Sequence, residues 1–515
     1  MAKRDFRLAT LESFAGGLNL RADQFDLAEN ESPDMMNVSV DPRGGVAMRS
    51  GIDRRNSTAL SADVKGIWGF HTDDGINQLM VNYGTAVAHS ASGNFTAFTN
   101  ITTRTAGSRV YGVTFNNVAY GVSYDKVSFK WDGSTDADLG TTIDGSAGNM
   151  PKAQYIAAWN NFVWVGNIEG EKFRLRWSNL NDAEKWSAAD YVDIDKGEHG
   201  DYITGLVPHG DRLIVCKNDS TYAVFGFDSD SFQVVTLSNR VGSIALSSPV
   251  STPYGVFMWH GHSGVYLYDG ERFHWVFSKL QPAIDDGRIS FTNPPQLAWA
   301  NNRLYVSVDW TASGATVRRT LVYDPSLGEA GAWTMTNIDA APLYAYRPPN
   351  STPIAVGGCV TNTGSVIHID AEDTRVTDRY LGSTEVHIDS HFTTPWITTK
   401  NPIVKKRWGK ARMVTLAKSS IQLDVSIYRD FDKAQPYKTF EVAVAGRDSS
   451  SVWNTAEWDN ADWGTAAEAV ITDIKRLPTI GTAQAVSMRI DGPRETNHTW
   501  EVNALAFTYL PRRLR

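Results

Sequence analysis

Short apolar runs that alternate with polar residues recur along most of the chain, and each is bounded by Gly, Asn, Asp or Pro. Phe162-Val-Trp-Val-Gly166, Arg212-Leu-Ile-Val-Cys216, Gly264-Val-Tyr-Leu-Tyr268 and Arg303-Leu-Tyr-Val-Ser-Val308 are typical. A period of two between turn formers predicts β-strands. Helical periodicity is scarce. The two best candidates, around Lys279 to Asp286 and Asn181 to Trp186, are short and carry no sustained i, i+3, i+4 apolar stripe.

The strands are also spaced regularly. A small polar turn followed by an apolar strand appears as Asn116-Asn117-Val-Ala-Tyr120, Asn160-Asn161-Phe-Val-Trp164, Gly210-Asp211-Arg-Leu-Ile214, Tyr254-Gly255-Val-Phe-Met258 and Asn301-Asn302-Arg-Leu-Tyr305. The second turn residue falls at 117, 161, 211, 255 and 302, in steps of 44, 50, 44 and 47. That step is the length of one four-stranded propeller blade. A second signature, Trp131-Asp132-Gly133, Tyr268-Asp269-Gly270 and Tyr323-Asp324-Pro325, suits the hairpin between third and fourth strands. There Asp caps the turn and the aromatic packs between sheets.

Gly66 to Asn100 and Pro342 to Asp370 read as further blades, so residues 59–375 are predicted to form a β-propeller of about six or seven blades. A blade alone buries only part of its faces, so the ring must close. A Greek-key β-sandwich is the competing reading of the same strand ladder. Beyond residue 375 the spacing changes: Val414 to Leu416, Ile421 to Ile427, Thr439 to Val444, Val486 to Ile490 and Ala504 to Tyr509 predict a C-terminal β-sandwich over 376–515. Residues 1–58, with Gly16-Gly17, Pro33 and Gly44-Gly45, predict an extended N-terminal arm packed on the body or on a neighbour. The fold class is thus all-β.

Composition narrows the function. Hydrophobic residues make up 42% of the 515 and charged residues 21%, which is globular composition. No apolar stretch approaches the ~18 to 20 residues that would span a bilayer. The start, MAKRDFRLATLESFAGG, lacks a secretory apolar region, so synthesis and folding in a cytoplasm are expected. Cys216 and Cys359 lie in apolar strand-like runs with no metal or CxxC spacing, and are expected to be reduced core residues. A net charge of -8 argues against a sequence-reading nucleic-acid binder but not against passive contact with DNA.

The arm reads Phe14-Ala-Gly-Gly-Leu-Asn19, Glu31-Ser-Pro-Asp-Met-Met-Asn-Val38, Asp41-Pro-Arg-Gly-Gly-Val46 and Arg49-Ser-Gly51. With Arg176-Trp-Ser-Asn179, Trp186, Ile203-Thr-Gly-Leu206, Gly210-Asp-Arg-Leu213, Gly255-Val-Phe257 and Gly264-Val-Tyr266, it resembles the tail-nozzle or tail-tubular (tail hub) proteins of short-tailed bacteriophages. Trp453-Asn-Thr-Ala-Glu-Trp458-Asp-Asn-Ala-Asp-Trp463-Gly464 resembles Trp-rich repeats in their sandwich regions. The resemblance implies a virion structural protein assembled in the host cytoplasm. It would be a homo-oligomeric ring subunit, a hexamer by resemblance, forming part of the DNA ejection channel and helping retain the packaged genome. Its expected partners are a tail adaptor ring, tail fibre or spike proteins, and passing genomic DNA without sequence-specific contact.

Nothing in the sequence points to an enzyme. Gly-x-Ser-x-Gly and the phosphate-binding Gly-x-x-x-x-Gly-Lys-Ser/Thr are absent, and no catalytic, cofactor-binding or metal residues are assigned. His260-Gly-His262 would place both rings on one side of a strand, but a metal needs a further ligand, and Asp269 and Glu271 lie beyond the Gly264 turn. The acidic loop Asp193-Ile-Asp195-Lys-Gly197-Glu198-His199-Gly200-Asp201 has its glycine one residue early for a calcium loop, and Thr204 where a glutamate is required. Lys405-Lys406-Arg407-Trp408-Gly-Lys410-Ala-Arg412 is read as either a contact to backbone phosphates or a solvated strand edge. Pro511-Arg-Arg-Leu-Arg515 is a basic tail or an anchor on an acidic neighbour, and Trp453, Trp458 and Trp463 either face a neighbour or fill the core. The alternative function is a carbohydrate-binding or carbohydrate-cleaving β-propeller of the tail tip.

Overall fold

In a computed structural model describing residues 6–195, 201–244, 249–327, 331–348, 351–371, 376–379, 385–417, 420–444, 473–494 and 498–511, the strand-rich middle of the chain forms seven consecutive antiparallel sheets. Sheets 1 to 6 span 64–103, 111–138, 153–193, 205–238, 250–275 and 289–336. Sheet 7 takes three strands from 340–369 and its fourth, Asp53–Arg54, from the N-terminal region. The first strands of successive sheets touch in cyclic order, the seventh meeting the first, so the array is a closed, propeller-like, all-β ring.

The recurring turns explain the regularity. Asn116-Asn117, Asn160-Asn161 and Asn301-Asn302 join first to second strands, and all six residues have positive φ, between 48° and 62°. Two such residues in succession make the hairpin turn that matches strand twist, and Asn tolerates it better than other side-chain-bearing residues. The same side chains tie neighbouring sheets together. Asn116 Nδ2 donates to Asn181 O at 3.0 Å, and Asn160 Nδ2 to the carbonyls of Gly226 and Phe227 at 3.1 and 3.0 Å.

Trp131, Tyr268 and Tyr323 end third strands and are buried, and the Asp that follows each caps the next turn. The amides of Ser134 and Thr135 donate to Asp132 Oδ1 at 2.8 and 2.7 Å, and those of Glu271 and Arg272 to Asp269 Oδ1 at 2.8 and 2.7 Å. Among the described residues, helix is limited to a 3-10 turn, Ser278–Leu280, and the α-turn Pro282–Asp285. The other expected helix, Asn181 to Trp186, is absent. Asn181 takes φ 57° and Asp182 Oδ1 accepts from the Glu184 amide at 3.0 Å, which fixes turns there instead.

Two further sheets face each other across a shared core. Sheet 8 orders Asp473–Ala483, Lys406–Ala417 and Trp500–Pro511, with Val46–Met48, Val38–Val40 and Arg7–Leu11 added from the N-terminal region. Sheet 9 orders Lys438–Val444, Ile421–Arg429, Val486–Asp491, His391–Thr393 and Asp34–Met36. Trp408, Met413, Leu505 and Phe507 of sheet 8 share one core with Leu423, Val425, Met488 and Ile490 of sheet 9, and this core continues into Trp259 of sheet 5, Phe277 just beyond it and Trp333 of sheet 6.

The N-terminal residues therefore serve three sheets, and two features hold them. Gly17, at φ 66°, packs so closely that an added Cβ would lie 2.6 Å from the Trp333 carbonyl oxygen. Arg49, 4% exposed, grips Asp378 with two hydrogen bonds of 2.8 and 2.6 Å. Its remaining donors reach Asn37 Oδ1 at 3.0 Å, Asn337 Oδ1 at 3.1 Å and Ser50 O at 2.9 Å. The Ile52 amide donates to the same aspartate at 3.1 Å. One buried ion pair thus joins the arm, the end of sheet 6 and the segment that leaves sheet 7.

Candidate functional site at the ring axis

The first strand of each ring sheet is hydrogen-bonded on one side only, so its free backbone edge faces the axis while its side chains enter the interfaces on either side. Ile67 goes to the core shared with sheet 7 and Trp68 to the core shared with sheet 2. The axial cavity left between them measures about 280 Å³ and draws lining residues from every sheet: Trp68, Tyr111, Tyr155, Leu206, Ser251, Trp299 and Tyr344. At about 30 Å³ per water it has room for roughly nine waters.

A long side chain bridges this axis. Arg109, just before the first strand of sheet 2, donates from Nη2 to Gln296 Oε1 of sheet 6 at 2.8 Å, and these two sheets are not neighbours in the ring. The guanidinium also stands 4.9 Å from the centroid of Tyr111, whose ring lies 5.1 Å from that of Tyr155. Burial, reinforced by Tyr111, holds the Tyr155 phenol well above its ordinary pKa, so it stays neutral. Beside Gln296, Arg318 pairs with Asp309 at 2.8 Å with both side chains almost fully enclosed.

No family model matches the chain, and no curated protein matches it in sequence. Among solved structures it is similar to the extracellular domain of a putative one component system from B. thetaiotaomicron, at 11% identity and TM-score 0.39, covering 70% of this chain and 42% of that one. It is also similar to BamB from Moraxella catarrhalis, at 11% identity and TM-score 0.37, covering 65% and 95%. The aligned region thus spans less than half of the first protein's length.

The residues singled out by sequence are dispersed. His260 ends its strand and packs against Tyr266 with ring centroids 5.8 Å apart, while His262 sits in the following turn against Phe291 at 6.4 Å. The turn at Gly261 breaks the strand geometry that would have aligned the rings. Burial lowers the His260 pKa against the opposing charge of Asp219. Within the acidic loop, residues 196–200 lie outside the described residues. Asp193 is held by Arg174 at 2.6 and 3.0 Å, and Asp195 accepts from the Tyr222 hydroxyl at 3.1 Å. Among the described residues no group of three or more His, Cys, Asp or Glu is placed to hold a metal ion.

The basic run occupies a different place from the edge suggested for it. Its strand, Lys406–Ala417, is paired on both sides, and Lys406 turns inward to donate to the carbonyls of Asn401 and Gln484. Arg407, Lys410 and Arg412 point outward. Trp453, Trp458, Trp463 and the last four residues lie outside the described residues. Cys216 and Cys359 are buried free thiols, each pushed up to about 12 mainly by burial. Among the described residues no helix is long and apolar enough to cross a membrane.

Sequence reasoning missed the Arg109–Gln296 bridge. Its partners are 187 residues apart, and neither belongs to a repeat signature.

Proposed function

We propose that the chain is a structural subunit of a virion tail, a nozzle or hub protein of a short-tailed bacteriophage whose copies form a ring. In this reading the seven ring sheets are propeller blades, sheets 8 and 9 are a β-sandwich, and the N-terminal arm binds the two into one rigid block. The assembled ring continues the channel for DNA ejection and helps retain the packaged genome. No covalent chemistry is needed.

The narrow axis carries this reading. An axial cavity of only about 280 Å³, in a ring where Arg109 beside one sheet reaches Gln296 of a non-adjacent one, leaves no bore for a duplex, so in this reading the propeller is a wall element and the conduit lies between copies. The arm residues that carry the family resemblance, Gly17, Asn37 and Arg49, sit at the joints of this block, where a load-transmitting part needs stiffness.

The test is the native mass of the purified chain, alone and mixed with the adaptor of its own tail. A closed ring, formed alone or on the adaptor, is expected. A strict monomer indifferent to tail components would overturn the proposal. The axial cavity has the size and the aromatic lining for a single sugar ring, which supports the carbohydrate-binding alternative; glycan binding by such a monomer would establish it.

A further inference from the structure

Two surface patches on the chain are each crowded with like charge. On sheet 8, Arg407, Lys410 and Arg412 point outward from one strand, and Arg476 of the adjacent strand is the direct cross-strand partner of Arg412. None of the four makes an ion pair with a described residue, in a chain whose net charge is -8. Like charges directly opposite each other on a sheet are destabilising unless something neutralises them. Beside them the same sheet is apolar: Ile474, 58% exposed, lies opposite Val414, and Leu8, 61% exposed, lies beside Thr508 on the far side of the Trp500–Pro511 strand.

The second patch lies on the rim of the ring where sheets 3 and 4 meet, on the loops that join third to fourth strands. Asp228 and Asp230 are exposed on the sheet 4 loop, and Asp190 of the sheet 3 loop has its pKa raised by burial and then by Asp230, against the pull of Arg176. Phe227, which precedes Asp228 on the same loop, stands 84% exposed, and Leu180 is 57% exposed on the neighbouring loop. Asn160 holds the Phe227 backbone in place at 3.0 Å.

We infer that the basic face of sheet 8 on one copy docks on the acidic rim of sheets 3 and 4 on the next copy, with Phe227 as the apolar anchor between rows of opposite charge. A phosphate backbone would gain nothing from Ile474, Val414 and Leu8, whereas Phe227 and Leu180 match them in kind. Because the two patches are different surfaces, the contact is head-to-tail, and each copy keeps one of each free until the ring closes. The inference rests on the ring reading and names its joint.

Three forms of the full chain test it by sedimentation and native mass: the parent, a basic-face variant Lys410→Glu with Arg412→Glu, and a rim variant Asp228→Lys with Asp230→Lys. Arg412→Glu places a carboxylate opposite Arg476, so the sheet is spared. Each variant alone is expected to associate at least about tenfold more weakly than the parent, a difference of about 1.4 kcal/mol. Mixed one to one, they are expected to associate again, because the intact basic face of one meets the intact acidic rim of the other and the two reversed patches also carry opposite charge; that recovery also shows that both are folded. Assemblies unchanged in both variants would overturn this joint and leave the ring standing. A parent that stays monomeric even with the tail adaptor would overturn both.

Discussion

Replacing Asp378 by Ala strands the guanidinium of Arg49 in a site where both side chains are 4% exposed. Breaking a buried pair by removing one partner costs about 3–5 kcal/mol, because the remaining charge is left without its counter-ion. Arg49 keeps three neutral acceptors, on Asn37, Asn337 and Ser50, which places the expected loss near the lower end. Removal of the aspartate also strips the Ile52 amide of its acceptor, adding about 1 kcal/mol. The prediction is therefore about 4 kcal/mol for Asp378→Ala, about 3–4 for Arg49→Ala, and a double variant costing little more than either alone. Urea denaturation of the four proteins gives the coupling energy, expected at about 3 kcal/mol. Hydrogen exchange at Ile52 and Asp53 should report the same event locally, through loss of protection where sheet 7 is completed. Single variants costing under about 1 kcal/mol, or strictly additive costs, would refute the argument that this pair locks the arm to the ring.

His368, cross-strand partner of Asp53 in sheet 7, has a pKa lowered to about 4 by burial and then by Arg55, whereas in the unfolded chain it titrates near 6.5. The unfolded state therefore binds the proton first as pH falls, and stability should drop between about pH 6.5 and 4 by up to about 3 kcal/mol. The same pH series on His368→Leu should lack that drop, and an identical slope would dismiss the site. Gly17→Ala, forced to positive φ against Trp333, should cost at least about 2 kcal/mol in thermal or urea melts, against about 1 for Gly75→Ala at φ 86° with nothing within 4 Å. Equal costs would show that the arm does not press on sheet 6. Cys216 and Cys359, with thiols raised to about 12, should resist thiol-specific labelling of the native protein at pH 8, and rapid modification of either would contradict their burial.

What the sequence made legible is chemistry that acts over a few residues. Asn-Asn pairs announce positive φ, and an aromatic followed by Asp announces a capped turn, so the spacing and local order of the ring strands were readable without tertiary information. The pairing of Arg7–Leu11 with Trp500–Pro511 was not, because a strand of five residues carries no mark of a partner some 500 residues away. The outward basic row was visible as composition, but its position in the middle of a sheet follows only from which strands lie on either side. Likewise the axial bridge depends on a loop before sheet 2 and the start of a sheet 6 strand, which only the closed ring brings together.

Completion of sheet 7 by Asp53–Arg54 sets a timetable for making this protein. Asp53 pairs with His368, so at roughly 5–20 residues per second a ribosome emits the first about 16–60 s before the second exists. Leu8 waits for Thr508 about 25–100 s. Through that interval the nascent chain carries finished hairpins with unpaired edges, the state in which β-proteins join the wrong neighbour. Expression at lower temperature, or with holding chaperones in excess, should therefore raise the yield of folded chain far more than any change to the ring's own core.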